Sequence, residues 1–179
     1  MAAMSKYLDH PNIVPLLGVT TEPLELISDW MPGGDLLGYI ATHPDANKFA
    51  LVCFISDIPR NMLIACQLSD VADGLNYLHS CNMVHGDLKG VSTSSRSHLI
   101  TLPMSCESNI LVDATGHARI TDFGLAIVTQ DLDSVRNPSV ERGQSVQWIA
   151  PEILDNRGIY SNDADIFSFA GVAIEVRCK

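Results

Sequence analysis

Positive charge is scarce in this chain: Lys and Arg number 11 against 21 Asp and Glu, for a net charge of −10 and a pI near 4.8. A surface of that sign repels phosphate backbones and anionic lipid, which argues against nucleic acid and membrane as general partners. Long apolar runs are also missing, and no segment reaches the roughly 18–20 residues that span a bilayer. The opening Met-Ala-Ala-Met-Ser-Lys lacks the basic and apolar blocks of a secretion signal. Cysteine is sparse and odd in number, five residues with neither paired nor metal-like spacing. That pattern points to reduced thiols and sets the cytoplasm as the expected location. With 46% apolar and 18% charged residues the chain has the composition of a folded domain, long enough to bury one core. Internal repeats and long low-complexity tracts are absent.

Along the chain, His10-Pro11-Asn12 opens a turn, and the apolar run through Val19 suits a buried strand. Leu24 to Trp30 is a second strand candidate, broken by Met31-Pro32-Gly33-Gly34-Asp35. A short helix begins at Leu36, with Asp35 as its N-cap. Leu68, Val71, Ala72, Leu75 and Leu78 recur at helical spacing and predict an amphipathic helix over Leu68 to Ser80. Asn109 to Asp113 and Ala118 to Thr121 alternate like a hairpin around Ala114-Thr115-Gly116-His117. Asp163 to Val176 reads as a mostly apolar helix.

Three short motifs follow in order: Val84-His85-Gly86-Asp87-Leu88-Lys89-Gly90, then Ile120-Thr121-Asp122-Phe123-Gly124-Leu125-Ala126, then Trp148-Ile149-Ala150-Pro151-Glu152. Together they resemble the catalytic loop, the Asp-Phe-Gly segment and the Ala-Pro-Glu mark of a protein kinase, with Gly86 where arginine usually stands. The resemblance implies an α+β protein-kinase-like fold, mostly the helical large lobe with a remnant of the small-lobe sheet. It implies ATP and Mg2+ as cofactors, a protein substrate as partner, and transfer of the γ-phosphoryl to a hydroxyl, a reaction that asks chiefly for positioning and charge stabilisation. On this resemblance Asp87 is the base and Lys89 the cation near the transferring phosphoryl. Asn109 and Asp122 are the metal ligands, hard oxygen donors of the kind Mg2+ prefers. Ser28 is the gatekeeper, the backbone of Asp29 to Met31 meets the adenine edge, and Leu111 packs under the ring. Ser145 matches the hydroxyl that bonds base and lysine, and Lys89 with Ser145 favours Ser/Thr over Tyr. His85 and Phe123 match members of an apolar spine, and Asp165 the aspartate that supports the catalytic loop. The wording Trp-Ile-Ala-Pro-Glu resembles the tyrosine-kinase-like branch. Without the arginine at position 86, phosphorylation of the activation loop is not expected to be the on-switch.

Other family marks are absent from these residues. No Gly-x-Gly-x-x-Gly is present, and Lys6 is the only lysine ahead of the hinge. The resemblance covers roughly the middle of a kinase domain, and faces meant to be covered are expected to stand exposed. A pseudokinase-like interaction module or a mis-spliced product therefore stays open beside an active enzyme, and a small-molecule phosphotransferase fits less well.

Spacing inside the catalytic loop also departs from the family, where the metal asparagine follows the base by about five residues. Deleting Val91 to Glu107 restores it, giving Asp-Leu-Lys-Gly-Ser-Asn-Ile-Leu-Val-Asp. Deleting Val52 to Gln67 likewise gives a smoother helical lead, Phe-Ala-Leu-Leu-Ser-Asp-Val-Ala-Asp-Gly-Leu. Val-Ser and Val-Cys codons can spell splice donors, and Glu and Gln codons can end in the AG acceptor. Both segments therefore read as short unspliced introns of a length common in fungi, against the alternative of genuine surface loops.

Overall fold

The computed structural model describes residues 8–23, 25–43, 59–90, 108–122, 127–128, 146–154 and 160–178. Strands β1 (Leu16–Val19) and β2 (Leu26–Ser28) pair antiparallel, with a register shift between Leu16 and Gly18. The short strand β3 (Gly34–Asp35) leads into helix α1 (Leu36–Thr42), whose first turn is capped as the sequence predicts: Asp35 Oδ1 accepts the Gly38 N–H at 2.8 Å. Helix α2 (Pro59–Ser80) is followed by β4 (Met83–Val84), and the hairpin forms from β5 (Ile110–Val112) and β6 (Ala118–Ile120). β3 joins that hairpin in the order β3-β5-β6, while β4 pairs with β7 (Ile127–Val128). A 3-10 turn (Val146–Trp148) and helices α3 (Pro151–Leu154) and α4 (Asn162–Cys178) complete the described elements.

The core lies between the hairpin and α2. Ile110, Val112, Ala118 and Ile120 turn one face of the hairpin onto Val71, Leu75 and Leu78, and α4 adds Val172 and Val176. The alternation of β5 leaves Leu111 half-buried on the opposite face. Asn12 ties the N-terminal segment to the same hairpin: its Nδ2 donates to Ala118 O at 3.1 Å, and its carbonyl accepts the Ile120 N–H at 2.8 Å. Gly74 lets α2 approach this point, since a Cβ there would stand 2.8 Å from Asn12 O.

Two expectations need correction. The apolar run to Val19 does not form one buried strand. Ile13 and Val14 are buried against β6, whereas Leu17 and Val19 on β1 are exposed, because β1 pairs with β2 and the described residues place no second layer over it. The helix expected from Leu68 starts at Pro59, with Leu63 and Ile64 packed against the core. Gln67 is 1% exposed there; its Nε2 donates to Gly116 O, and its Oε1 is buried with no hydrogen-bond partner in the described structure. Exposed apolar side chains do occur, at Leu17, Leu26, Ile27 and Trp30 on one side and Ile166, Phe167 and Ile174 on α4. Among the described residues no helix is long and apolar enough to cross a membrane.

The hairpin turn is held by Asp113. Its Oδ1 accepts from Thr115 N–H, Thr115 Oγ1 and His117 N–H, and its Oδ2 accepts from Arg119. Burial pushes this carboxyl up, but the bonds from Thr115, His117 and Arg119 outweigh it and bring the pKa from 3.8 down to about 2. The folded value lies below the unfolded one, so the stabilisation is complete above about pH 4 and is lost as pH falls toward 2, an effect of about 2 kcal/mol. Asp113→Asn is expected to flatten that part of the acid-unfolding profile, measured by urea denaturation between pH 2 and 5.

Candidate active site

The site is built where α2, β4 and the hairpin meet α4. β4 carries the chain into His85, Gly86 and Asp87, and this turn is clamped from below by Asp165 in the first turn of α4. Asp165 is 2% exposed. Its Oδ2 accepts the His85 N–H at 2.8 Å and its Oδ1 the Gly86 N–H at 2.9 Å. A third donor, His79 Nε2 at the end of α2, reaches Oδ2 at 2.9 Å. A buried carboxylate needs such partners, and charge-assisted bonds to fixed N–H groups also fix the backbone that donates them.

His85 is fully buried, and its hydrogen bonds settle its tautomer. Nδ1 accepts the Asp87 N–H at 3.2 Å, so the proton is on Nε2, which donates to Thr121 O at 3.0 Å. The ring thus braces the loop against the segment leading to Asp122, a structural part as expected.

Asp87 and Lys89 form an ion pair at 3.1 Å, both side chains largely sheltered. Asn109 arrives from the other side of the 91–107 stretch. Its Nδ2 donates to Asp87 O and, at 3.2 Å, to Asp87 Oδ2, across a sequence separation of 22. Both bonds from the Asn109 amide nitrogen go to Asp87, and the side chain is buried. Two hydrogen bonds hold the junction: the Asn109 N–H donates to Lys89 O at 3.2 Å, and the Ser108 hydroxyl donates to Gly90 O at 3.0 Å. The chain therefore leaves at Gly90 and re-enters at Ser108 within one hydrogen bond, and the spacing anomaly does not pull base and asparagine apart.

Asp122 follows Thr121, whose N–H donates to Asn109 O at 3.0 Å, so the one carboxylate expected at the metal adjoins a residue bonded to the expected amide ligand. It is exposed and sits at φ +59°, a left-handed conformation uncommon for a non-glycine residue and enriched at functional positions. Among the described residues no three His, Cys, Asp or Glu side chains cluster as in an all-protein metal cage. One carboxylate and one amide oxygen instead fit Mg2+, which completes its shell with phosphate and water oxygens.

On the adenine side, Ser28 ends β2 and is exposed, opposite Leu16. The Asp29 N–H is taken by Pro15 O at 3.2 Å and the Met31 carbonyl by the Gly34 N–H at 3.1 Å. A ligand at this edge would therefore use the Asp29 carbonyl and the Met31 N–H. Leu111 lies on the open face of the hairpin, paired with Asp35. Ser145 and Phe123 lie outside the described residues. Sequence reasoning passed over His79 and Ser108, each of which is seen only once its distant partner is in place.

Comparison with known proteins agrees with this arrangement. The family model described as protein tyrosine and serine/threonine kinase matches residues 1–93 and 104–179, and its break falls inside the 91–107 stretch. The chain is 33% identical over 170 residues to the tyrosine-protein kinase Fer of Mus musculus, covering 94% of this chain and 17% of that protein. It is 28% identical over 169 residues to the serine/threonine-protein kinase STY46 of Arabidopsis thaliana, covering 93% of this chain and 24% of the relative. A probable serine/threonine-protein kinase of Dictyostelium discoideum, drkC, is 33% identical over 180 residues, covering 98% of this chain and 20% of the relative. The chain thus spans about a fifth of the length of these curated relatives. The chain belongs to the protein tyrosine and serine/threonine kinase family and has a partial protein-kinase-like α+β fold.

Proposed function

We propose that this chain carries the phosphoryl-transfer machinery of a cytoplasmic protein serine/threonine kinase, using ATP and Mg2+. The observation that carries the reading is the meeting of Asp87, Lys89 and Asn109 in one hydrogen-bonded cluster. In this reading Asp87 takes the proton of the attacking hydroxyl and Lys89 offsets charge on the transferring phosphoryl. Asn109 and Asp122 hold the metal. Ser28, Asp29, Met31 and Leu111 frame the adenine. Lys89 together with Ser145 favours serine and threonine acceptors, and Trp148 to Glu152 favours the tyrosine-kinase-like branch. Gly86 supports activity that does not wait for a phosphate on the activation loop.

The 91–107 stretch is, in the same proposal, an addition to a loop that closes without it. The hydrogen bond between Ser108 and Gly90 supports this. For 52–67 the support is Gln67, whose buried orphan oxygen marks a polar residue in an apolar place. Deletion of that segment would bring Leu51 to the same helical position.

A second reading, a pseudokinase-like interaction module, is favoured by one observation: Asp87 and Asn109 stand 22 positions apart, where the family spaces them by about five. The deciding experiment is transfer of γ-labelled phosphate from ATP with Mg2+ to serine, threonine and tyrosine peptides, by this chain and by the chain lacking 91–107. Labelling of serine or threonine peptides supports the kinase. Thermal stabilisation by ATP without labelling supports the module, and neither effect removes both readings.

A further inference from the structure

We propose that Ser108 is a positioning residue for Asn109, acting through its hydroxyl bond to Gly90. The 91–107 stretch creates the need. Gly90 and Ser108 are 18 positions apart in sequence, so no peptide bond keeps Asn109 beside Asp87. Noncovalent bonds have to do so, against the freedom that a long connection allows.

Gly90 is a firm anchor for such a bond. It is buried, and a Cβ on it would stand 3.0 Å from Glu175 Oε2 and 3.4 Å from Val172 Cγ1 on α4. Its carbonyl accepts the Ser108 hydroxyl at 3.0 Å, and Ser108 is only 6% exposed, so water competes little for the bond. The same hydroxyl oxygen accepts the Ile110 N–H at 3.3 Å. Ser108 thus joins a point packed on α4 to the first residue of β5, with Asn109 between them.

The hydroxyl has one proton, and Ile110 O at 2.9 Å is a second acceptor for it. The two acceptors lead to different behaviour. A bond to Ile110 is local and acts the same in any version of the chain. A bond to Gly90 is redundant once a peptide bond joins Gly90 to Ser108, and it matters only where 91–107 intervenes. The inference rests on the kinase reading only in taking Asn109 as a metal ligand.

The test is amide hydrogen exchange without nucleotide, on the 179-residue chain and on the chain lacking 91–107, each with and without Ser108→Ala. The Asn109 N–H, held by Lys89 O at 3.2 Å, reports on the junction. In the 179-residue chain Ser108→Ala is expected to speed its exchange about fivefold or more, while the amides of residues 71–78 keep their rates. In the shortened chain the same substitution is expected to leave it within about twofold. Unaltered exchange at Asn109 in the 179-residue chain would overturn the proposal. So would equal acceleration in both chains, which would assign the proton to Ile110. Equal acceleration through residues 71–78 would make Ser108 a plain stability residue, with the same consequence. A shortened chain that loses protection at 71–78 would overturn it as well, because the junction would then not close as one loop. No phosphate is transferred in this measurement, so a failure of the phosphoryl-transfer reading leaves its outcome untouched. If transfer is active, Ser108→Ala raises the Mg2+ concentration for half-maximal rate about tenfold and leaves KM for the peptide unchanged. An unchanged Mg2+ requirement in an active chain would contradict the positioning role.

Discussion

Asp87→Asn is expected to lower phosphoryl transfer by about 10²–10⁴-fold, the usual contribution of a positioned general base. Asp87 Oδ2 is held by Lys89 Nζ at 3.1 Å and by Asn109 Nδ2 at 3.2 Å. Asparagine keeps the shape and an oxygen for Asn109, but its amide cannot take a proton at any working pH. The substitution also gives up the charge paired with Lys89, so the rate is compared on protein whose unfolding curve shows it folded. Rates are read with peptide substrate at saturating ATP, beside an unfolding curve for each protein. A variant that transfers at the unchanged rate would show that Asp87 is not the base.

Asp165→Ala has the largest expected effect on stability, a loss of roughly 3–5 kcal/mol. Three donors converge on this carboxylate, two of them backbone N–H groups of consecutive residues. Removing the acceptor leaves each donor buried with no partner, at about 1–3 kcal/mol apiece before relaxation. Asparagine is not a rescue here. Whichever way its amide points, the NH2 group faces either the Gly86 N–H or the His85 N–H together with His79. Urea denaturation of both variants measures the effect. A loss below about 1 kcal/mol would mean that water or another group replaces the carboxylate, a cost typical of exposed rather than buried pairs.

Much of this was legible in the sequence because the informative residues are contiguous. His85 to Lys89 and Ile120 to Ala126 each place their chemistry within one short segment, and a short segment keeps its meaning without knowledge of the fold. Asp35 as N-cap and the hairpin around residues 114–117 were equally readable, since capping and alternation are local. The beginning of α2 was not. Residues 59–67 lack a clean apolar period, and Gln67 puts a polar group at a buried position of the helix. Propensity gives no warning of that, because tertiary packing decides it.

The long-range joints were hidden for a different reason. His79 and Asp165 are separated by 86 positions, and nothing near either residue signals the other. The convergence of Asp87 and Asn109 was hidden too. A loop's length says little about where its ends lie, because closure entropy grows slowly with length. Ser108 and Gly90 had to be seen together before the 91–107 stretch could be recognised as leaving the loop closed. The anomalous spacing was readable; its harmlessness to the geometry was not.

The central claim is that Asp87 and Asn109 meet across 22 positions, and a double-mutant cycle measures that contact directly. Asp87→Ala, Asn109→Ala and the double variant would each be unfolded in urea at neutral pH. Side chains in contact give a coupling energy of about 0.5–3 kcal/mol, and the account predicts a value in that range. A coupling indistinguishable from zero would mean that the two residues do not meet, and that the catalytic loop is not assembled in this chain.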